Sequence, residues 1–406
     1  MKLHWLILIS LILGAFTGIF LPGLSQYISW IGDLFLNALS MIVIPLIFCS
    51  VVTSIIGIQS SRFNLKKIGV RAISFYILTM LLAITTGLIL VNIIKPGEGI
   101  IIDNALKSQP QLQEPSFIEM IVGIIPKNMF DAFTQNYTLP IILIAFLIAL
   151  NVPKLENKYQ QLFNDIFQGG LELMLKITHV IIRFSPIGIF SIIVKQFSGT
   201  SDVVSLIHNM MLYVLTVAIG LTIHMFVWLP LILRIGFRVN PIKHFQNMLT
   251  PILTAFSTAS SSAALPASLY AVEQKDGVSK ELTNFSIPFG SAINMDGAAL
   301  LECVATLFIA QAYGIELSFS HQILVALTVM MCTTGAAGIP MAALVMMTVV
   351  LNAVGLPLEG IGLIVGIDRI LDMMRSAVNV YSDTCVAVMI AKSEKETLPI
   401  DIKATT

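Results

Sequence analysis

Apolar residues run along this chain in blocks too long for the core helices of an ordinary soluble domain. Blocks near 5–22, 28–58, 69–94, 117–152, 160–196, 203–234, 282–312 and 357–391 each predict a bilayer-crossing helix. Several exceed the roughly 20 residues that a crossing needs, so tilted or broken helices are expected. Two further apolar blocks, 245–271 and 320–354, are interrupted at their centres by STASSSAALP and TTGAAGIP. Small hydroxyl residues, glycine and proline in the middle of a block do not favour one continuous lipid-facing helix.

Basic residues then orient the blocks, because cytoplasmic loops carry an excess of Lys and Arg. With eight spans and a cytoplasmic N-terminus, Arg62, Lys66, Lys67 and Arg71 fall inside. Lys154 and Lys158, Arg234, Arg238 and Lys243, Lys275 and Lys280, and Lys392 and Lys395 follow them. Counting the two interrupted blocks as full spans would move Lys275 and Lys280 outside. Each is therefore expected to enter and leave on one side, 245–271 from the cytoplasm and 320–354 from outside. Non-helical backbone at that depth is tolerated only where protein buries it or it lines a cavity. The order hairpin–span, hairpin–span over 245–312 and 320–391 reads as a repeat of inverted topology, an arrangement that puts a binding site near the midplane.

Composition agrees with the pattern. The 406 residues are 56% hydrophobic and 11% charged, with mean hydropathy +0.89, where a soluble domain carries about 25% charged residues. The expected class is an all-α polytopic membrane protein of eight transmembrane helices plus two re-entrant helical hairpins. Net charge is zero and no basic run points to nucleic acid. Cys49, Cys303, Cys332 and Cys385 share no metal or disulfide spacing and read as small apolar fillers. Lys2 followed by Trp5–Phe20 resembles a signal peptide in outline, but the apolar sequence after it favours a first span.

The last block carries the chemistry. Stepped at about 100° per residue, Asp368, Asp372, Arg375, Ser376, Asn379 and Asp383 share an arc of roughly 100°. An Asp or Arg at the bilayer midplane costs about 2.5–3.5 kcal/mol. Three carboxylates and an arginine thus cost on the order of 10 kcal/mol unless they meet one another, ions or water. Arg375 is a two-pronged donor suited to a carboxylate, and Asp372 can accept from an ammonium. The pair describes a ligand bearing both charges, such as an amino acid with a second carboxylate. A structural Asp372–Arg375 ion pair is the plainer alternative, but it leaves Asp368, Asn379 and Asp383 on that face unexplained.

Elsewhere, Ser260, Ser261 and Ser262 offer hydroxyls and backbone amides at a helix start, a place that favours an anion; serine packing between helices is the alternative. In the seventh block, Pro288 and Gly290 precede Asn294-Met295-Asp296-Gly297. Carboxylate, amide and carbonyl oxygens on an unwound turn suit a hard cation, sodium rather than a divalent ion that would want more carboxylates. Asp383 with Asn379 offers a second such cluster. His179, His208 and His224 read as packing or interface contacts, with proton relay as the alternative. No phosphate loop, zinc motif or nucleophile–base arrangement is found, so an enzyme is not expected.

SSSAALP, NMDGAAL, GAAGIP and GIDRILDMMRSAVNVYSD together closely resemble the glutamate transporter homologues, the dicarboxylate/amino acid:cation symporter family. Weaker echoes, MIVIPLIF, Pro126–Ala132 and FSPIGIF, extend the resemblance over nearly the whole chain. It implies a homotrimer in the cell membrane with both termini cytoplasmic. A scaffold would comprise 1–66 and 97–200, a moving transport domain 67–96 and 201–395, and a cytoplasmic tail 396–406. It implies sodium-coupled symport of aspartate or glutamate by an elevator mechanism. Backbone at Ser261, Gly338 and Ile339 would hold the α-carboxylate, helped by Asn379. Asp372 would meet the amino group and Arg375 the side-chain carboxylate, with Ser376 and Ala298 nearby. One sodium site would use Gly290, Asn294, Asn379 and Asp383. A second would use Ala292, Met295, Thr333, Thr334 and Ala336, and a third Tyr76, Thr79, Asn294 and Asp296.

Two departures bear on these expectations. Met80 follows Thr79 where many members carry a hydroxyl, removing a third-site ligand, and Ala298 stands where many have Thr. Proton coupling and a C4-dicarboxylate substrate are the alternatives within the class. An anion channel is an alternative outside it, and an intramembrane protease lacks its sequence pattern.

Overall fold

The computed structural model describes residues 3–59, 65–100, 122–123, 125–135, 137–198, 203–333, 342–365 and 367–402. Among them every extended element is helical, and one isolated antiparallel bridge joins Val239 to Asp401. The first half contains α1 (Leu3–Phe20), α2 (Ser25–Gln59), α3 (Leu65–Ile94), α4 (Thr138–Asn151), α5 (Asn157–Arg183), α6 (Ser185–Ser198) and α7 (Val203–Ile223). The second half contains α8 (Leu249–Thr258), α9 (Ser261–Tyr270), α10 (Lys280–Ile293), α11 (Asp296–Ala312), α12 (Phe319–Thr333), α13 (Ala342–Ala353) and α14 (Asp368–Ser393).

Four stretches of the described residues are long and apolar enough to cross a membrane: Pro22–Thr53, Ile68–Ile94, Val204–Gly236 and Lys280–Ala312. The α5–α6 pair, bent by 56°, makes a fifth if it is one span. The bend interrupts the expected 160–196 helix where Ser185-Pro186 starts α6. Proline is at home in a first helical turn because the N–H it lacks would go unpaired there. Gly188 then lets α6 approach Phe35 of α2, whose ring carbon would lie 2.4 Å from an added Cβ. Of the other expected spans, α14 is too polar to count as an apolar crossing helix, and the apolar stretches Ile9–Phe20 and Pro140–Lys154 are short. The protein is an all-α, multi-pass membrane protein.

Packing sorts the helices into two groups. In the first, α1 lies against α6, and α2 against α4, α5 and α6. Ser191 pins α2 to α6, donating to the Ile28 carbonyl at 2.6 Å and accepting from the Gly32 amide at 3.0 Å. In the second, α3 lies on α11 and α7, while α8, α10 and α11 surround α14. Contacts across the groups include α13 on α2 and the short helix Ile361–Val365 on α6. The expected alternation of faces on the last block holds only at its start. Ile370 is 62% exposed, but from Arg375 to Ala391 every residue of α14 is buried. Helices α8, α10 and α11 cover its second face as well.

Candidate functional site

The first interrupted block breaks where its small residues lie. Helix α8 ends at Thr258; Ala259 turns the chain with φ 51° and ψ 42°, and α9 begins at Ser261. Ser260 caps α9, its hydroxyl accepting from the Ala263 amide at 3.3 Å. The first amides of α9, at Ser261 and Ser262, belong to the helix turn that makes no intrahelical bonds. Ala255 and Ala264, one on each arm, pack with Val380 of α14, which holds the α8–α9 pair against the last helix. In the second block α12 ends at Thr333. Thr334, Ala336, Gly338 and Ile339 lie outside the described residues.

The seventh block is also broken. Asn294 (φ −92°, ψ 82°) and Met295 (φ −111°, ψ 59°) leave helical geometry between α10 and α11. The break freezes Asn294 and Asp296 at zero exposure against α14. Glycines permit the contact. At Gly290 an added Cβ would sit 2.7 Å from Asp383 Oδ1, and at Gly297 it would sit 2.6 Å from the Arg375 carbonyl. The Gly297 amide donates to Asn379 Oδ1 at 2.8 Å. Ala298, the next residue, is fully buried on the first turn of α11.

On α14, Asp372, Arg375, Ser376, Asn379 and Asp383 are all buried, at 1–4% exposure. Arg375 Nε donates to Asp372 Oδ1 at 2.7 Å and Nη2 donates to the same oxygen. Asp372 Oδ2 has no hydrogen-bond partner, although Arg369 Nη1 lies 3.5 Å away. The two charges therefore hold one another through a single oxygen, leaving the second carboxylate oxygen open to another donor.

Two clusters of oxygens adjoin this pair. Asp383 accepts from Asn294 Nδ2 at 3.1 Å, and the Gly290 carbonyl accepts from the Asn294 amide at 2.7 Å. A carbonyl has two lone pairs, so the Gly290 oxygen can accept a second partner. Thr79 donates to Asn294 Oδ1 at 3.2 Å, and Tyr76 donates to the Ser286 carbonyl at 2.9 Å. These distances bring together Asp383, Asn294 and Gly290 of the first expected sodium site and Thr79 with Asn294 of the third; the Tyr76 hydroxyl would lie 3.1 Å from a Cβ on Gly290. Of the second, Ala292 is half-buried, the Met295 carbonyl accepts from the Ala299 amide at 2.9 Å, and the Thr333 hydroxyl donates to the Val329 carbonyl at 2.8 Å. Among the described residues, no three His, Cys, Asp or Glu gather as a metal-ion cluster.

Sequence reasoning missed several residues. His224 is not a mere packing contact: it is fully buried, and its Nε2 lies 2.9 Å from Asp296 Oδ2. It opens the π-helical turn His224–Trp228 that extends α7, and such turns re-aim side chains at functional sites. Ser382 was passed over beside Asp383, yet its hydroxyl donates to Asp296 Oδ2 at 2.6 Å. Glu302 of α11 is fully buried with neither carboxylate oxygen hydrogen-bonded. Cys385 is more than filler, since its Sγ lies 3.4 Å from Nε2 of His244, whose Nδ1 is 2.6 Å from Asp276 Oδ2. Thiol, imidazole and carboxylate fall in line, but each is at zero exposure, so the trio braces the base of the α8–α9 pair against α14. Only a buried His near an aspartate-bearing turn could have hinted at any of this, and sequence does not report distance.

Comparison with known proteins adds the family. The sequence pattern described as the sodium:dicarboxylate symporter family matches residues 3–393. The chain is 35% identical to a proton/sodium-glutamate symport protein of Geobacillus stearothermophilus, over 97% of this chain and 94% of that protein. It is 31% identical to excitatory amino acid transporter 3 of Mus musculus, over 99% and 88% of the two chains. Against the proton/glutamate-aspartate symporter of Escherichia coli K12 it is 30% identical, over 97% and 93%. A helical bundle whose charged last helix is buried among broken helices, and a family match spanning nearly all of its length, place this chain in the sodium:dicarboxylate symporter family.

Proposed function

We propose that the protein is a secondary active transporter that couples sodium entry to uptake of aspartate or glutamate. The observation that carries this reading is the buried Asp372–Arg375 pair on the same helix as Asn379 and Asp383, the latter held in a cradle with Asn294 and Gly290. An acidic amino acid exchanges one ion pair for two: its ammonium takes Asp372 and its side-chain carboxylate takes Arg375. Its α-carboxylate reaches the amides around Ser261 and the Gly338–Ile339 backbone. A C4-dicarboxylate would bring no ammonium to Asp372, and a neutral amino acid would bring nothing to Arg375.

Sodium is cargo here. Asp383, Asn379, Asn294 and Gly290 would hold one ion, Ala292, Met295, Thr333, Thr334 and Ala336 a second, and Tyr76, Thr79, Asn294 and Asp296 a third. Each net positive charge carried inward at 100 mV adds about 2.3 kcal/mol of driving force, so cations in excess of the substrate's charge pull an anion inward. In this reading the first packing group is a trimeric scaffold (1–66 and 97–200) and the second a transport domain (67–96 and 201–395) that moves as an elevator. The α8–α9 and α12–α13 pairs are re-entrant hairpins in an eight-span inverted repeat, the termini are cytoplasmic, and the second hairpin closes only over a loaded site. Uptake of radiolabelled aspartate and glutamate into proteoliposomes, with sodium, proton and potassium gradients imposed separately, tests it. Accumulation that ignored sodium would remove the cation assignment, and conductance without accumulation would favour a channel.

Proton coupling is the second reading, favoured by Glu302. A buried ionised carboxylate without a partner costs several kcal/mol, and a proton is the smallest group that removes that cost. The Geobacillus stearothermophilus and Escherichia coli relatives are both named as proton symporters.

A further inference from the structure

One side-chain amide links Asp383 to Asp296 by way of Ser382. Asn294 Nδ2 donates to Asp383 Oδ1 at 3.1 Å and to Ser382 Oγ at 3.0 Å, and Ser382 Oγ donates on to Asp296 Oδ2 at 2.6 Å. All four residues are buried, at 0–2% exposure. Among the described residues Asp296 has an ion-pair partner only in His224, and its Oδ1 has no hydrogen-bond partner at all. An unpaired carboxylate oxygen at zero exposure is costly unless a cation reaches it. The second oxygen is saturated by the Ser382 hydroxyl and the His224 ring, which fixes the direction in which Oδ1 points.

Further oxygens join this cluster through Asn294. Thr79 Oγ1 and Asn294 Oδ1 lie 3.2 Å apart. The residue after Thr79 is Met80, whose sulfur accepts from Thr333; a thioether is a soft donor with little affinity for a hard cation. Ser382 Oγ stands between Asp296 and Asn294. A hydroxyl has one donor and two acceptor lone pairs. Its proton goes to Asp296 and one lone pair takes the Asn294 amide, so one lone pair is left.

We propose that Ser382 is an oxygen ligand of a sodium site built on Asp296, Asn294 and Thr79, supplying the hydroxyl that Met80 does not. His224 is its positioning residue, holding Asp296 Oδ2 so that Oδ1 faces the ion. This inference rests on the sodium-coupled reading above.

The test uses full-length protein in proteoliposomes and nanodiscs, with Ser382→Ala, Ser382→Thr and Ser382→Cys. Two quantities are read: the sodium-to-aspartate ratio from zero-flux potentials, and the sodium dependence of aspartate affinity. Ser382→Ala lowers the ratio by one ion and weakens apparent sodium affinity at least tenfold. Ser382→Thr, which keeps the hydroxyl, stays within threefold of wild type at an unchanged ratio. Ser382→Cys preserves shape if the alanine variant does not fold, and it behaves as alanine does toward sodium while gaining relative affinity for thallium(I), a soft monovalent cation. An unchanged ratio in either the alanine or the cysteine variant overturns the assignment. Absence of sodium-coupled uptake in the wild type would overturn the underlying reading instead, so the two failures are distinct.

Discussion

Replacing Gly297 with alanine probes whether α11 must start within backbone contact of α14. The added Cβ would lie 2.6 Å from the Arg375 carbonyl oxygen, 3.0 Å from its Cα and 3.1 Å from Asn379 Oδ1. Two of those atoms are backbone of a helix buried on every side, so neither can swing away. Overpacking of this kind costs about 1–3 kcal/mol. Moving α11 outward also stretches the 2.8 Å bond from the Gly297 amide to Asn379, and an intramolecular hydrogen bond contributes about 0.5–1.5 kcal/mol. The combined strain is about 2–4 kcal/mol. Because Arg375 and Asn379 both belong to the candidate substrate site, strain expressed there weakens aspartate binding by between about 30-fold and about 1000-fold. Gly169→Ala is the control: nothing lies within 4 Å of its added Cβ in α5, and alanine in a helix interior gains roughly 0.5–1 kcal/mol over glycine. Calorimetric titration of aspartate into purified protein at saturating sodium, paired with thermal unfolding, reads both effects. If Gly297→Ala bound aspartate within threefold of wild type and unfolded at the same temperature, the close approach of α11 to α14 would be wrong.

Three further outcomes are expected. Arg375→Ala abolishes measurable affinity for acidic amino acids and leaves buried Asp372 with only the Arg369 guanidinium, 3.5 Å away, lowering stability by about 1–3 kcal/mol; unchanged affinity by calorimetry would refute its role. Glu302→Gln makes uptake insensitive to an imposed pH gradient while sodium dependence persists, and proteoliposome flux that still follows the proton gradient would refute the second reading. His244→Ala orphans the buried Asp276 Oδ2 and lowers stability by about 1–3 kcal/mol, measured by thermal unfolding. The paired change His244→Phe with Asp276→Leu recovers most of that loss, since removing both buried partners can be nearly neutral.

Much of the candidate site was legible because the membrane raises the cost of every polar residue. Asp368, Asp372, Arg375, Asn379 and Asp383 stand out in an apolar block whatever their partners, and helical periodicity alone puts them on one arc. The breaks at Ala259-Ser260 and Asn294-Met295 fell where small residues, proline and glycine had marked them. His224 and Ser382 were not legible. Their neighbours carry no unusual pattern, and their meaning comes from distances of 2.9 Å and 2.6 Å to Asp296, which is 72 and 86 positions away along the chain. Glu302 was missed for a different reason: one acidic residue in α11 is unremarkable until its two oxygens are found without partners.

Local chemistry therefore decided the class of protein, the position of its breaks and the charged face of its last helix, since hydropathy, backbone propensity and periodicity act over a few residues. Which oxygens share a cation, which imidazole steadies which carboxylate, and the burial of α14 on all sides were decided only when distant helices packed. Those contacts depend on how close two backbones come, and at Gly290 and Gly297 the absence of a Cβ sets that approach.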